Sequence, residues 1–540
     1  MPTKAFANYN YDDAAQLFGG HAIAGTKTVP STNPRRPQAA IAATDFYLGN
    51  HWQDSDGFIG QLPPLGVPFR PQILRDIEAG FVSENVVQEV VETHTGGILG
   101  REPVWSFLPA DADKLDEARR SDKSSFENIT GETLTPWWNE RKGLRSFQQT
   151  TTTLLCEDRA VRRLLIPVGR LRDGKAQAND LASALKYIYF QTHTADVAGV
   201  FVDPLTQAEI GVFLYQEKDI KGDVTANCAE LSFLDEHGDT VCRIVKDRGE
   251  PETYGPYPLG GHLLIYEIQR RALITEQVQS SQRALNLTHT MMMRNVNMAG
   301  ARERHVTNAQ PPLDVKRVAV DNETVSTTKV VAGTFKTGSG AVNFLAGFPI
   351  YGEDGQTIMG YTNPNVSIVD PASVETFVNT ISTQKEAIYS QCHQRHVLIV
   401  DKADTSGRAR EVARREFERS LKETKGVMDA AGRWQLESTL RLAAFICKQV
   451  SKYANLRADF NCLIDAGEPD PEKQKTVILL RQAGIISAET ARNWVGVEDA
   501  AAELAKIKAE SPEDPSQPTP ADEPVLKDET VSTEADNAIN

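Results

Sequence analysis

The chain has 540 residues, of which 40% are hydrophobic and 24% charged, a composition typical of globular proteins and not of collagenous, coiled-coil or wholly disordered chains. At roughly 100 to 200 residues per domain, this length predicts three or four domains, or one large domain with insertions. The formal net charge is −15, and residues 511–540 supply −7 of it, because they hold eight acidic residues against Lys527. This charge disfavours tight, non-specific binding to nucleic acid, which depends on Lys and Arg displacing counterions.

The sequence shows no sign of export or of a membrane span. No stretch approaches the roughly 18 apolar residues that a span needs. The acidic pair Asp12-Asp13 stands where a signal peptide would be apolar. The six cysteines never form a C-x-x-C pair, so we interpret them as reduced, mostly buried thiols. We therefore expect a soluble, intracellular protein with no membrane partner.

The first 260 residues predict a mixture of helices and strands. Prolines and basic side chains in residues 1–41 favour an extended arm that docks on something. Helices are predicted from Ser83 and over about 135–158. Short β-branched or aromatic segments predict strands at 161–168, 186–193, 209–215, 228–234 and 240–245. A turn at 236–239 joins the last two strands as a hairpin, so this part of the chain is predicted to be α+β.

A helical hairpin with a β-containing tip is predicted next. Residues 261–304 carry apolar side chains at helical spacing without a proline, which predicts a helix of about 60 Å if it is continuous. Residues 328–369 are again β-like, with a turn at 353–355. Asp370-Pro371 then gives strong helix-start signals, and the second helix is expected to reach about residue 396.

The remainder of the chain is predicted to be helical until a final tail. A third long helix is expected from Arg408 to about Tyr453, followed by shorter helices at about 471–483 and 487–510. The tail 511–540 is rich in proline and acid and has no aromatic residue, a composition that predicts disorder.

Catalytic motifs are missing from the sequence. The glycine-rich stretch at 19–28 lacks the lysine of a P-loop, since Thr26 follows its second glycine. No H-E-x-x-H or G-x-S-x-G occurs. Cys392 lies near His393 and His396, and a thiol beside imidazoles can be a nucleophile or half of a metal site. Only His396 could share a helix face with Cys392, so we expect structural roles, no cofactor, no metal and no catalytic residue.

The order of four segments resembles that of tailed-bacteriophage portal proteins. DFYLGNHW (45–52) is similar to the family's early Y-x-G-x-x-W element, and SENVVQEVVETHTGGILGREPVW (83–105) to its helix ending in glycine and an L-x-G-x-P-type turn. TSGRA (405–409) resembles the family's Ser-Gly helix opening. AGIISAETARNWVGVEDAAAELAKIKAE (483–510) looks like its C-terminal pair of helices. The resemblance spans about residues 45–510.

The resemblance implies a ring, usually of about twelve subunits, at one vertex of a virion capsid, assembled in the host cytoplasm. Its fold would be α+β, with long stem helices, an α/β wing, a small β-containing clip and a helical crown. It divides the chain into an extended N-terminal arm (1–41), a wing (42–260), a first stem helix (261–305), a clip (306–369), a second stem helix (370–395), a tunnel loop (396–407), a wing-crossing helix (408–455), a crown (456–510) and a disordered acidic tail (511–540).

The same resemblance implies partners and a channel. Double-stranded DNA would pass through the ring during packaging and ejection, and ATP hydrolysis would belong to the terminase motor. Expected partners are other copies of the chain, the terminase large subunit, the major capsid protein or a scaffold, and the head-to-tail adaptor. Lys402 and Arg408 are the candidates for residues near DNA. The tunnel-loop candidates are Val397, Leu398, Asp401 and Asp404.

Two other interpretations stay open from the sequence. One is a different phage virion protein, such as an adaptor or minor capsid protein. The other is a cytosolic enzyme that uses Cys392 and His396. A ring with an axial channel would separate the portal from both.

Overall fold

The computed structural model describes the chain in thirteen stretches, residues 6–19, 35–51, 80–110, 124–165, 178–203, 206–300, 304–310, 313–319, 326–332, 347–368, 372–400, 407–464 and 471–483. The chain divides into two compact units, 1–466 and 467–540. The first unit contains helices and antiparallel sheets in separate stretches, and it is α+β as predicted. Within the described stretches, every helix is too short or too polar to cross a membrane.

The N-terminal residues fold onto the first unit. Helix α1 (Tyr11–Gln16) lies between Phe6 and Phe18, and both phenylalanines are buried against the largest sheet. Helix α2 (Gln38–Tyr47) follows. The expectation of an extended arm is therefore wrong for the described part of 1–41, because its aromatic side chains find an apolar sheet face to cover.

The helix predicted to start at Ser83 is present, but a different residue caps it. Helix α3 (Val86–Leu99) buries its valines, and Asn85 rather than Ser83 caps it, since the Asn85 side chain accepts from the Gln88 amide at 3.0 Å. Strand β1 (Val104–Pro109) comes directly afterwards.

The helix predicted over 135–158 is two helices. Helix α4 (Phe126–Glu140) and helix α5 (Gly143–Glu157) are separated by Lys142, whose φ of 53° is left-handed. A residue in that conformation cannot continue a right-handed helix, so the chain changes direction there.

Two antiparallel sheets follow. Their elements in chain order are β2 (Arg159–Leu165), α6 (Leu181–Leu185), β3 (Tyr189–His193), β4 (Ala198–Val202), β5 (Glu209–Lys218), β6 (Val224–Leu234), β7 (Thr240–Lys246), β8 (Glu252–Tyr257) and β9 (Ile265–Gln269). The three-stranded sheet has the order β3-β2-β9 and the five-stranded sheet the order β4-β5-β6-β7-β8. The predicted hairpin is confirmed, since β6 pairs with β7 up to Leu234 opposite Thr240.

The predicted first stem helix is shorter than expected. Strand β9 occupies residues assigned to that helix and pairs with β2, with Tyr266 opposite Arg162. Helix α7 (Glu276–Gly300) begins only after it. Its 25 residues span about 37 Å instead of about 60 Å.

The insert between the hairpin helices is β-rich, as predicted. Its described strands are β10 (Arg304–Thr307), β11 (Leu313–Ala319), β12 (Ser326–Ala332), β13 (Pro349–Tyr351), β14 (Ile358–Tyr361) and β15 (Asn365–Ile368). They form three antiparallel pairs, β10 with β15, β11 with β12 and β13 with β14. The predicted turn at 353–355 is confirmed, because the Gly355 amide donates to the Gly352 carbonyl at 3.0 Å.

The C-terminal elements differ from prediction at their ends. These elements are α8 (Val374–Gln391), α9 (Arg395–Val400), α10 (Gly407–Ile446), α11 (Val450–Tyr453), β16 (Leu456–Asn461) and, in the second unit, α12 (Pro471–Gln482). Helix α8 ends at Gln391, and residues 396–400 belong to the short helix α9 instead of a loop. Strand β16 pairs with β1, so the expected start of the crown at residue 456 falls inside the first unit. The predicted helix at 487–510 and the tail lie outside the described residues.

Helix α10 forms the centre of the largest apolar cluster, together with α3 to α6, β1 and β16. Its side chains Leu421, Met428 and Leu440 are fully buried. Gly97 of α3 permits the close approach of α3 to α10, because a Cβ there would meet a Leu421 methyl at 2.9 Å. The long helix is therefore a core element of the first unit, not a free arm.

Candidate functional site at the base of the helical hairpin

Helices α7 and α8 lie antiparallel and form the hairpin. Near the insert, the Asn295 side chain donates to the Ala372 carbonyl at 2.9 Å and accepts from the Ala372 amide at 2.8 Å. At the other end, the Cys392 sulfur lies 3.9 Å from the Leu273 carbonyl oxygen. The residues that fix the hairpin to the rest of the unit lie at this second end, which we call the hairpin base.

A row of buried polar side chains on α7 binds the segment before α3. Gln282, Asn286 and Thr290 are spaced four residues apart and are at most 2% exposed. Their side-chain oxygens accept from the backbone amides of Val87 at 3.2 Å, Glu84 at 3.2 Å and Val82 at 3.1 Å, respectively. The row satisfies amides that would otherwise be buried without partners, and it sets the register of the hairpin against α3.

Glu84 joins both hairpin helices to this segment. Its carboxylate accepts from His289 of α7 at 2.9 Å and from Lys385 of α8. Partial burial would raise the pKa of Glu84, but the hydrogen bonds and charges of Lys385 and His289 outweigh it and hold the pKa below its usual value. The ionised carboxylate therefore connects α7 and α8.

The chain turns sharply after α8. His393 has a left-handed φ of 59°, which ends the helix, and the buried Gln394 side chain then donates to the Val90 carbonyl of α3 at 2.7 Å. Helix α9 follows, and its residues Val397 and Leu398 pack against the apolar cluster of α3, α7 and α8. These two candidate tunnel-loop residues therefore contact the protein's own core.

The other candidate channel residues are described only in part. Arg408 lies in the first turn of α10, and the position of its side chain lies outside the described part of the structure. Asp401, Lys402 and Asp404 lie outside the described residues. The structure thus brings Val397 and Leu398 together and places Arg408 at the start of the next helix.

Cys392 lacks the features of an activated thiol. It is fully buried, and this burial raises the pKa of its thiol to about 12 although Arg270 acts in the opposite direction. A nucleophilic or metal-binding cysteine requires the thiolate, which such a pKa disfavours at neutral pH. All six cysteines are buried and unpaired in disulfides, and the described residues contain no cluster of three His, Cys, Asp or Glu side chains that could hold a metal ion.

Two histidines, the buried His94 and the half-buried His396, flank one phenylalanine at this base. The Phe417 ring of α10 lies 4.4 Å from the His396 ring in a stacked arrangement and 6.0 Å from the His94 ring in an edge-on arrangement. His94 Nε2 lies 2.9 Å from Thr424 Oγ1, while its Nδ1 is buried without a hydrogen-bond partner. Burial first, and then Arg270 and His393, lower the pKa of His94 to about 3. Burial and Arg414 lower the pKa of His396.

Buried arginines are the polar feature that the sequence analysis missed. Arg163 of β2 forms an ion pair with Glu230 of β6, and its guanidinium lies 4.3 Å from the Phe213 ring centroid. Arg36 binds Glu157 through Nε at 2.8 Å and Nη2 at 2.6 Å. The sequence does contain a signal for the Arg163 ion pair. The apolar strand segment RAVRRLL holds three arginines, and an arginine buried in such a strand needs a partner. The carboxylate partners could not be found from the sequence.

Comparisons with other proteins give no family for this chain. No family model matches it, and the search of curated proteins finds no relative.

Proposed function

We propose that this chain is the subunit of a tailed-bacteriophage portal ring, which would conduct double-stranded DNA at one capsid vertex. The observation that supports this proposal is the hairpin of α7 and α8, which joins the α+β unit at its base and connects to a β-rich insert at its other end. In the proposed portal, α7 and α8 form the stem, the insert forms the clip, and the β-sheets with α10 form the wing.

Exposed apolar side chains on the hairpin and insert favour an assembly. Val374 and Val378 of α8 are each 51% exposed, and Met359 of the insert is 76% exposed. Exposed apolar patches commonly mark surfaces that bind other chains. Other exposed apolar residues of this region are Met293, Val296, Phe348, Ile350, Tyr351, Ile358, Tyr361 and Val366. A ring of about twelve copies would cover part of this surface and leave the clip for other partners.

The proposal assigns no chemistry to the chain itself. The terminase large subunit would bind the clip and hydrolyse ATP, and the head-to-tail adaptor would bind there after packaging. The capsid protein or scaffold would contact the wing. Residues 396–407, which begin in α9 and include Lys402, would be the segment nearest the DNA together with Arg408, and the net charge of −15 would keep contacts with the moving phosphates weak.

Replacing the insert tests this proposal. Residues 308–364 are replaced by an Asn-Gly turn, which suits a two-residue hairpin and keeps β10 and β15 paired, because Thr307 lies opposite Asn365. We expect the variant to form rings but to lose binding to the terminase of the same phage, measured by co-sedimentation. The substitutions Met359→Ser and Tyr361→Ser should weaken binding in the full-length chain by about 1–3 kcal/mol.

The matched control is Ile220→Ser, which removes a fully exposed apolar side chain from the β5–β6 turn. We expect this variant to bind terminase as the original chain does. Undiminished binding by the insert replacement would contradict the clip assignment.

A further inference from the structure

The described side chains of helix α9 are only partly buried. His396 stacks on Phe417 at 4.4 Å, and Val397 and Leu398 pack on the apolar cluster, but all three are of intermediate exposure. The hydrogen bond from Gln394 to Val90 precedes the helix. A segment whose contacts are partly exposed opens at lower free energy than the core around it.

The charged groups that face the two imidazoles are mostly cations. Arg414 of α10 acts on His396, and Arg270, which lies between β9 and α7, acts on His94 together with His393. The nearby carboxylates are engaged with other groups. Glu416 lies 3.3 Å from His393, Glu418 lies 3.3 Å from Arg414, and Glu423 acts on Arg270.

Protonation is therefore unfavourable while the stack is closed. The His94 imidazole is removed from water and the His396 imidazole is partly removed from it, and each added charge would meet an arginine. We call the arrangement with His396 packed on Phe417 the closed state. The pKa of His396 is lower in this state than its ordinary value of about 6.5. The closed state is therefore fully stabilised above pH 6.5. That stabilisation is lost as the pH falls below 6.5 towards the pKa of the closed state.

We infer that the packing of His396 on Phe417, with His94 at the edge of the same ring, is an acid-sensitive latch, in which protonation of the imidazoles separates α9 from α10. This inference rests on the proposed function for its consequence, because Val397 and Leu398 of α9 belong to the proposed tunnel loop. The rest of the contact between α3 and α10 stays closed, held by Gly97 against Leu421 and by the apolar core.

Hydrogen–deuterium exchange of the full-length chain tests the latch. Peptides covering 392–400 are compared at pH 7.5 and 5.5 after correction for the intrinsic exchange rate. The opening equilibrium should rise at least threefold and at most about tenfold through His396 alone, and further if His94 is also hydrated. Peptides of α5, a helix of the core with no residue in the latch itself, should change less than twofold and serve as the internal reference.

Two variants separate the latch from general acid sensitivity. His396→Phe keeps a ring on Phe417 but cannot titrate, so we expect it to remove the part of the pH dependence that His396 supplies. His237→Gln removes an exposed histidine from the β6–β7 turn and should leave the pH dependence unchanged.

The inference is overturned if the wild-type ratio at 392–400 stays below about two, or if His396→Phe keeps the wild-type pH dependence. It is equally overturned if α5 loses protection in parallel, since the opening would then be global. If His396→Phe fails to fold, the wild-type comparison of 392–400 with α5 still decides the question. Exchange is measured on the isolated chain, so this outcome does not depend on ring formation or on terminase binding.

Discussion

Arg162 is the most deeply buried cation that the structure describes. Its side chain is fully buried, and burial without a carboxylate lowers its pKa to about 9. Gln435 of α10 accepts from its Nε at 2.8 Å, Thr150 accepts from its Nη1 at 2.6 Å, and the guanidinium lies 4.1 Å from the Phe147 ring centroid. The residue therefore joins β2, α5 and α10, but it carries the desolvation cost of an unpaired charge.

This arrangement predicts an order of stabilities. Arg162→Met removes the buried charge, but it also removes the donor to Gln435 Oε1. Because Gln435 Nε2 already lacks a hydrogen-bond partner, the whole side-chain amide would then be buried without one. Thr150 keeps Ser146 and Thr192 as partners at 2.8 Å each. The double variant Arg162→Met with Gln435→Leu should therefore be more stable than Arg162→Met by about 1–3 kcal/mol, and at least as stable as the original chain.

Urea unfolding at pH 7.5 measures the three free energies of unfolding. Arg145→Met, which alters an exposed arginine of α5, is the control and should change stability by less than about 0.5 kcal/mol. A single variant as stable as the double variant would contradict the assigned role of Gln435.

At the scale of elements, the hairpin is held by polar contacts on one side and apolar packing on the other. Glu84 binds His289 and Lys385, the α7 row binds the backbone before α3, and Cys392 and Tyr389 pack in the apolar cluster. Because the contacts of Glu84 are partly exposed, each is worth little by itself. Their role is to fix the angle at which both helices leave the base.

Glu84→Gln should weaken this attachment in a pH-dependent way. The pKa of Glu84 is lowered in the folded chain, so its carboxylate stabilises the fold above its ordinary pKa of about 4.5, and that contribution is lost as the pH falls through the folded-state pKa. We expect the variant to lose about 0.5–1 kcal/mol at pH 7 and this deficit to be smaller at pH 3.

Urea unfolding followed at both pH values measures this difference. Glu132→Gln, an exposed change on α4, should show no such pH dependence. A constant deficit for Glu84→Gln at both pH values would mean that shape rather than charge holds the hairpin.

Much of the element order could be predicted from the sequence, but its boundaries depended on tertiary contacts. The β6–β7 hairpin was readable because alternation and turn residues are local. The segment 261–275 was misread because Leu264 and Ile268 are four apart, a spacing that suits one face of a helix and also one face of a strand. Pairing with β2 decides in favour of the strand.

The candidate site was predictable only in outline. The proximity of Cys392 and His396 followed from sequence, and the structure places both at the hairpin base. The stack on Phe417 and the approach of His94 could not be predicted, because these side chains come from α9, α10 and α3. The positive φ of Lys142 also has no signal in the sequence, because lysine seldom adopts that conformation.

At the scale of the whole molecule, the charge and the exposed apolar residues of the hairpin and insert are the features that a function must explain. An isolated chain would leave Val374, Val378 and Met359 in water. The portal proposal covers the stem side chains with neighbouring copies and reserves the insert for terminase and adaptor. It would also agree with the net charge of −15, since weak contact would permit DNA to slide.

The most direct test is to image the purified full-length chain by electron microscopy and to measure its mass by light scattering. The account predicts a ring of about twelve copies, about 0.7 MDa from subunits of 59.5 kDa, around a hole of roughly 20 Å, wide enough for duplex DNA. A monomer or dimer at micromolar concentration, or an assembly without an axial hole, would contradict it.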